Sequence, residues 1–480
     1  MAEHAPVAFF AFPLRPHNKK TASMSSTQFR PRLGRYLAIL PLTLALSACV
    51  TTEYTAPTAD TAAAFATGAP ARSANGAWWL SFQDRTMDGL ITTALARNLS
   101  IHEAVAAIDE AGAGVAAARA ASLPQASAGA GATRGDSQGS GAITESTSAT
   151  LSTSWMFDIF GGNRSARAAA IAELEASKLS EEAARRAVTA AVATTYIDLR
   201  YYQQSIALTR QSISSRRETL RLTQDMLEVG QASRLDVLQA EQAVAQAEAS
   251  LPVLETGFDQ AVNRLATLTA SRTATLRPQL QKGGAQPSAR SKPSVGFPAD
   301  VIRARPDVQI AERGLAAAVA RIGVAEAEFW PSVSLSGSIR PMNVRGGGAP
   351  TSWSFGPAIN LPIFTGGANR ANLKAAESRA VQAHIRWQAE VLDAVEEVEN
   401  GLSAWRRGGT NVAAQRKLVS TAQETVTLAR DAWQAGQTDF FTVLDAERTA
   451  LTARTALAGA VRDQATAYVA VSIAAAAPMK

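Results

Sequence analysis

Few residues in this 480-residue chain have the types and spacing that chemistry needs. There is one cysteine, Cys49, so neither an internal disulfide nor a multi-thiolate metal site can form. Of the four histidines, His4 and His17 precede that cysteine, and His102 and His384 each lack a neighbour at metal-ligand spacing. Gly129-Ala130-Gly131 and Gly346-Gly347-Gly348 are not followed by the Gly-Lys-Ser/Thr that completes a phosphate cradle. Carboxylates are numerous but travel with arginines, as in Glu181-Glu182 with Arg185-Arg186, the spacing of ordinary ion pairs on a helix face. Arg134-Gly135-Asp136 is read as an incidental loop tripeptide. The expectation is a protein that is not an enzyme and holds no cofactor.

The one covalent chemistry the sequence offers is at Cys49. Basic residues Arg30, Arg32 and Arg35, an apolar run from Tyr36 to Leu46 and the small residues Ser47 and Ala48 lead up to it, the layout of a secretory leader over residues 1–48. That run is too short to span a bilayer as a helix. Leu46-Ser47-Ala48-Cys49 resembles the bacterial lipobox, which implies cleavage before Cys49 and a covalent lipid on it. Val50, where an aspartate retains lipoproteins in the inner membrane, implies sorting to the outer membrane. Met24 is the expected start, because residues 1–23 add nothing a leader needs. After Cys49 no apolar run of ~18 residues occurs, so any crossing of a membrane falls to strands.

Composition agrees with long helices: 46% hydrophobic residues, rich in alanine, with only 6% aromatic. The net charge of +6 belongs to the leader, since setting aside its six basic residues and one acidic residue leaves 41 basic against 40 acidic. A nucleic-acid-binding surface is therefore not expected.

These features are carried by two repeats. Gly230-Gln231 with Val237-Leu238-Gln239-Ala240-Glu241 returns, 206 positions later, as Gly436-Gln437 with Val443-Leu444-Asp445-Ala446-Glu447. Phe160-Gly161-Gly162-Asn163-Arg164 returns as Phe364-Thr365-Gly366-Gly367-Ala368-Asn369-Arg370, and Leu123-Pro124 as Trp330-Pro331. Each repeat reads as helix, strand, loop, strand, very long helix, turn and helix. From Asn163 to Val229 there is neither glycine nor proline, enough for a helix of ~100 Å. In the second repeat Gly401 and Gly408-Gly409 predict a break or bulge. Returning helices from Gln231 to about Ala270 and from Asp307 to Phe329, stacked end to end, would match the long one. We divide the chain into the leader (1–48), an anchor and extended segment (49–84), repeat 1 (85–275, hairpin about 124–160), a linker (276–299) and repeat 2 (300–477, hairpin about 331–365).

The hairpins have a period of two. In Ser332-Val333-Ser334-Leu335-Ser336-Gly337-Ser338-Ile339 serines alternate with mostly apolar residues, and Trp353, Phe355, Pro357, Ile359 and Leu361 share one face of the next segment. Leu151 to Ile159 repeats the theme, while the strand after Pro124 is mostly Ala and Gly. One apolar, aromatic-bearing face and one small polar face fit the strands of an outer-membrane barrel. Four strands cannot close one, and an open edge in lipid leaves backbone groups unsatisfied, so strands must come from several chains. Three chains would supply twelve.

The leader's Leu46-Ser47-Ala48-Cys49, Trp78-Trp79 with Phe82, Leu90 and Asn98, Arg303-x-Arg305-Pro306-Asp307-Val308-x-x-Ala311-Glu312, Phe364-Thr365-Gly366-Gly367 and the two Gly-Gln turns stand in one order. In that order they resemble the TolC/OprM-type outer-membrane efflux proteins, in the lipoprotein branch called NodT-like. The resemblance runs from Cys49 to the C-terminus. It implies a mainly α fold with a transmembrane β-barrel: a homotrimer with a 12-stranded barrel in the outer membrane and a helical barrel across the periplasm. It further implies a periplasmic adaptor and an inner-membrane pump, of resistance–nodulation–division type, as partners. By the same resemblance the two helix hairpins turn at the periplasmic tip, where Asp236 and Asp445 stand at positions of an acidic gate. Three copies of each would make rings that attract cations. The chain departs from the family at Thr442, where a further acid is common, and at Ala270, where the segment from Leu265 usually ends in glycine. Rival readings are a duct for a type I protein-secretion pump and a non-conducting lipoprotein scaffold.

Overall fold

Each repeat contributes one β-hairpin and one 67-residue helix, and the two hairpins join into a single four-stranded sheet. The computed structural model describes residues 54–59, 62, 64–66, 76–136 and 143–475; the leader and Cys49 lie outside them. A short 3₁₀ turn (Trp78–Phe82) leads into α1 (Arg85–Arg97) and α2 (Leu99–Ala120). The first hairpin, β1 (Gln125–Asp136) and β2 (Ile143–Phe157), is followed by α3 (Gly162–Glu228), α4 (Arg234–Leu268) and α5 (Thr273–Leu280). The second repeat runs α6 (Pro298–Ala304), α7 (Pro306–Ala327), β3 (Ser332–Val344), β4 (Thr351–Asn360), α8 (Ala368–Gln434) and α9 (Phe440–Ala474). Among the described residues no helix is long and apolar enough to cross a membrane.

Helices α3 and α8 have 67 residues each, which at 1.5 Å per residue is ~100 Å. Asp158 starts α3 by accepting from the amides of Asn163 (3.0 Å) and Arg164 (2.8 Å). Along its first turns α3 packs on α7, through Ala169 and Ala172 against Ala316 and Ala317 and through the Arg321–Glu173 ion pair. Further along it packs on α4, where Arg216 donates to the Ala243 carbonyl (2.7 Å) and Arg217 pairs with Glu248 (2.5 Å). At ~33 and ~52 Å, α7 and α4 thus share the flank of one long helix.

The expected break in the second long helix is absent: α8 is continuous through Gly401, Gly408 and Gly409. The glycines serve close packing instead. A Cβ on Gly401 would lie 3.0 Å from Val471 Cγ2 and 3.4 Å from the Val471 backbone nitrogen, and one on Gly409 would lie 3.1 Å from Gln464 Nε2, so α9 packs closely here and Val471 would have to give way to a side chain at 401. A glycine costs a helix interior about 1 kcal/mol relative to alanine, and the adjoining contacts of α8 with α9 offset it.

The largest apolar cluster sits at mid-body, where Met87, Ile91, Val192, Ile197, Val262 and Leu265 are almost fully buried. Each contributes about 1.5–3 kcal/mol by leaving water. Tyr196 crosses this cluster: its hydroxyl donates to Asp84 Oδ2 (2.8 Å) and accepts from Arg200 Nε (2.8 Å), while Asp84 caps α1. Arg200 Nη1 also donates to the Lys282 carbonyl (2.8 Å). The inter-repeat segment is consequently packed and not a loose linker: Leu280 and Val295 are buried, and Gln286 Nε2 donates to the Ala458 carbonyl (2.9 Å).

Arg305, Pro306 and Asp307 have a structural task. Pro306 is the first residue of α7. The buried Arg305 guanidinium holds Asp307 (2.5 Å), Glu397 on α8 (2.6 Å) and the Ala474 carbonyl at the end of α9 (3.4 Å), tying three helices together. Burial pushes the Asp307 carboxyl up, but the hydrogen bonds and charge of Arg305 and the Val308 amide outweigh it and hold the group below the usual aspartate range.

Ala270 explains the departure at the mid-body turn. The Ser271 and Ala270 amides donate to the carbonyls of Ala266 (2.8 Å) and Thr267 (3.1 Å), a Schellman closure that places Ala270 at φ 47°. An alanine there crowds its own carbonyl.

Ala270→Gly should raise stability by about 1 kcal/mol, seen as a higher thermal midpoint by circular dichroism. Arg305→Met should lower it by about 2–3 kcal/mol in denaturant titrations. Because the Asp307 value is depressed on folding, its contribution is full above about pH 4 and fades as pH falls through the lowered value. Asp307→Asn should remove that part of the acid sensitivity.

Candidate functional site

The two helix hairpins end in turns of one design. At the first, Gly230 (φ 73°) donates to the Leu227 carbonyl (3.0 Å) and Gln231 to that of Met226 (2.8 Å). At the second, Gly436 (φ 71°) donates to Trp433 (2.9 Å) and Gln437 to Ala432 (2.8 Å). Both are Schellman closures, in which glycine is favoured because the backbone is left-handed. The repeated Gly-Gln is thus the signature of a helix ending, with the glutamine supplying only its backbone amide to the closure.

The returning helices then start by different caps. Ser233 and Asp236 form a reciprocal capping box: the Ser233 amide donates to Asp236 Oδ2 (2.8 Å) and the Asp236 amide to Ser233 Oγ (3.2 Å). In the second hairpin the matching residues are Asp439 and Thr442, and here the aspartate is the cap, accepting from the Thr442 amide (2.9 Å) and hydroxyl (2.6 Å). Those two hydrogen bonds hold the Asp439 carboxyl below its ordinary range. Asp445 lies in the next turn, half-exposed and paired with Arg448 (2.5 Å). The two predicted gate carboxylates therefore have separate partners, Ser233 and Arg448.

A set of residues that the sequence reading missed lies behind the tips. Glu447, buried on α9, accepts from Arg430 of α8 (2.5 Å) and from Thr219 of α3 (3.2 Å), and Arg430 also reaches Ser215 of α3 (2.6 Å). It joins one hairpin to the other across an apolar layer of Ala240, Trp433, Phe440 and Val443. The signal was available: Glu447 falls in register with the buried Val443, Ala446 and Ala450, a core face where a carboxylate needs a partner.

At the other end the strands form one antiparallel sheet in the order β1-β2-β3-β4, so β2 and β3 join the repeats and β1 and β4 are edges. The register Ser127↔Ser152↔Ser338↔Ser354 puts serines in a row on one face, with hydroxyl contacts Ser127–Ser152 (2.8 Å) and Ser338–Ser354 (3.0 Å). Leu151↔Ile339↔Trp353 forms a row on the opposite face. That face is open: Trp353, Phe355 and Ile359 are 76%, 69% and 71% exposed. Aromatics stand at both of its ends, Trp353 and Phe355 toward the loops, and Trp155 with Phe157 and the stacked Phe160–Trp330 pair toward the helices.

The sequence of the family described as outer membrane efflux protein is matched over residues 90–271 and 298–476, one span per repeat. Nodulation protein T of Rhizobium leguminosarum bv. viciae is 38% identical over 449 residues, covering 91% of this chain and 92% of that protein. The toluene efflux pump outer membrane protein TtgF of Pseudomonas putida is 33% identical over 440 residues, covering 86% and 90%. Among solved structures, the outer-membrane channel OprN superposes with a TM-score of 0.80 at 28% identity, covering 88% of this chain and 98% of that one. The open-state MtrE outer membrane channel of Neisseria gonorrhoeae gives 0.78 at 28% identity, covering 89% and 98%. With two matched spans that coincide with its two repeats, and relatives and channel structures matching along most of their length, this chain belongs to the outer membrane efflux protein family.

Proposed function

We propose that three copies of this chain close their sheets into a 12-stranded barrel and form a passive duct for small molecules, fed by an inner-membrane pump through a periplasmic adaptor. The exposed apolar face with aromatics at both ends carries this reading, because such a face is stable in lipid and not in water. From Trp353 to Asn360 is eight residues of strand, which at ~3.4 Å each and a tilt of ~40° stands ~21 Å tall, close to the apolar band of outer-membrane barrels. The unpaired edges of β1 and β4 then meet across subunit boundaries and satisfy each other. A lipid on Cys49, outside the described residues, would tether each chain to the same membrane. The pump in this reading is of the resistance–nodulation–division type; among the relatives are outer membrane proteins of toluene and antibiotic efflux pumps. Solvents and antibiotics are accordingly the first substrates to test here.

In this reading Asp236 and Asp445 give the periplasmic entrance two rings of three carboxylates, which concentrate cations and oppose anions. Because Asp236 also closes a capping box, asparagine is the better probe than alanine.

Purified protein should run as a heat-modifiable trimer and carry current in planar bilayers; a monomer without current would remove the duct. Asp236→Asn with Asp445→Asn should lower cation preference several-fold at low salt, and an unchanged reversal potential would remove the gate assignment. Deletion of the gene should sensitise cells to solvents, dyes and antibiotics, restored by the intact chain but not by Cys49→Ala if the lipid is required.

A further inference from the structure

The serine face of the sheet carries one charged residue. The charged residues of the four strands are Arg134, Asp136, Glu145 and Arg340. The register places Arg134 opposite Glu145, on the side shared with Leu151 and Trp353, at the loop end. Glu145 is ion-paired there with both Arg134 (3.3 Å) and Arg345 (2.7 Å). Asp136, two residues on from Arg134, lies on that side too. Arg340 alternates the other way: it stands in line with Ser334, Ser336 and Ser338 and is paired in register with Ser352. Its guanidinium is exposed and donates to Ser148 Oγ at 3.4 Å. No carboxylate shares its face among the described residues of the sheet, and residues 137–142 include no charged residue.

We propose that Arg340 is a selectivity residue at the outer end of the duct, where three copies form a ring of positive charge that favours anionic solutes and opposes cationic ones. The inference rests on the trimeric barrel proposed above. Twelve strands spaced ~4.8 Å apart and tilted ~40° enclose a circumference of ~75 Å and a radius of ~12 Å. That radius is close to the screening length of ~10 Å at 0.1 M salt and well inside the ~30 Å at 0.01 M, so a wall charge acts across the whole lumen. Its neighbours on that face, Ser148, Ser338, Met342 and Ser352, carry no charge to offset it, and no acid among the described residues of the face neutralises it. Arg340 is level with Ser352, next to Trp353, which places the ring near the outer boundary of the apolar band. A solute leaving the carboxylate-lined tip thus meets the opposite sign at the exit.

The test is the reversal potential of the full-length protein in planar bilayers across a tenfold KCl gradient from 0.01 to 0.1 M. It is made in the Asp236→Asn/Asp445→Asn background so that the narrow entrance does not dominate. Arg340→Ser should raise the potassium-to-chloride permeability ratio about twofold and Arg340→Glu further, while Arg340→Lys leaves it unchanged. The differences should shrink when the gradient is set from 0.3 to 3 M. Channels that conduct with the same reversal potential in all four forms overturn the proposal and leave the duct standing. No current from the wild type overturns the duct and this inference with it.

Discussion

Two rows of backbone amides and carbonyls, along the outer sides of β1 and β4, have no strand partner among the described residues, and most of the architecture answers to them. A helix satisfies its own backbone, so α3 and α8 can run ~100 Å without help from a sheet. A strand cannot. Joining the repeats through β2 and β3 removes two of four edges, and the apolar face beside the remaining two rules out exposure of the sheet to water as a stable arrangement. In the proposed duct, assembly with further copies would satisfy both at once.

The helical body is organised around keeping long elements in register. Arg305 binds the start of α7 to α8 and α9, Tyr196 binds α3 to the cap of α1, and Glu447 binds α9 and α8 to α3 nearer the tips. These are polar ties placed among alanine-rich contacts, which bring helices close but specify little about axial position. A buried charged group with one good partner set tolerates no sliding, because moving it strands a charge in an apolar site. The small residues permit close approach, and the polar ties choose one alignment out of many.

Duplication gave two hairpins with the same turns but different chemistry at the following helix starts. Ser233 with Asp236 uses the carboxylate at the third helical position, whereas Asp439 with Thr442 uses it at the cap itself. Both arrangements satisfy the orphan amides of a helix N-terminus, so drift between them cost the fold little. It did change where negative charge sits on each tip. The buried Glu447 has a counterpart in Glu241, which is only partly buried and has no equivalent tie, so the duplicated halves share a backbone but not an electrostatic layout.

The duplication, the long helix of the first repeat, the period-two strands and the start of α7 at Pro306 were legible in the sequence, because each depends on local rules: absence of glycine and proline, alternation of side chains, the fixed φ of proline. Gly401 could not be read correctly by those rules. A glycine in a helix signals weakness until one knows that Val471 lies where its side chain would be. Ala270 stood out as a departure where the family has glycine, and only the backbone revealed that it occupies a left-handed position. The Arg305-Pro306-Asp307 string was recognisable as a motif, but its meaning, a clamp on Glu397 and on the end of α9, needed residues 92 and 169 positions away. Which face each side chain of a strand occupies was fixed by alternation, so the side of the sheet that Arg340 takes was already determined by its place in the chain. That it lacks a counter-charge, while Arg134 and Arg345 share Glu145, was decided by the pairing of β1, β2 and β3, because only tertiary structure brings distant carboxylates near or keeps them apart.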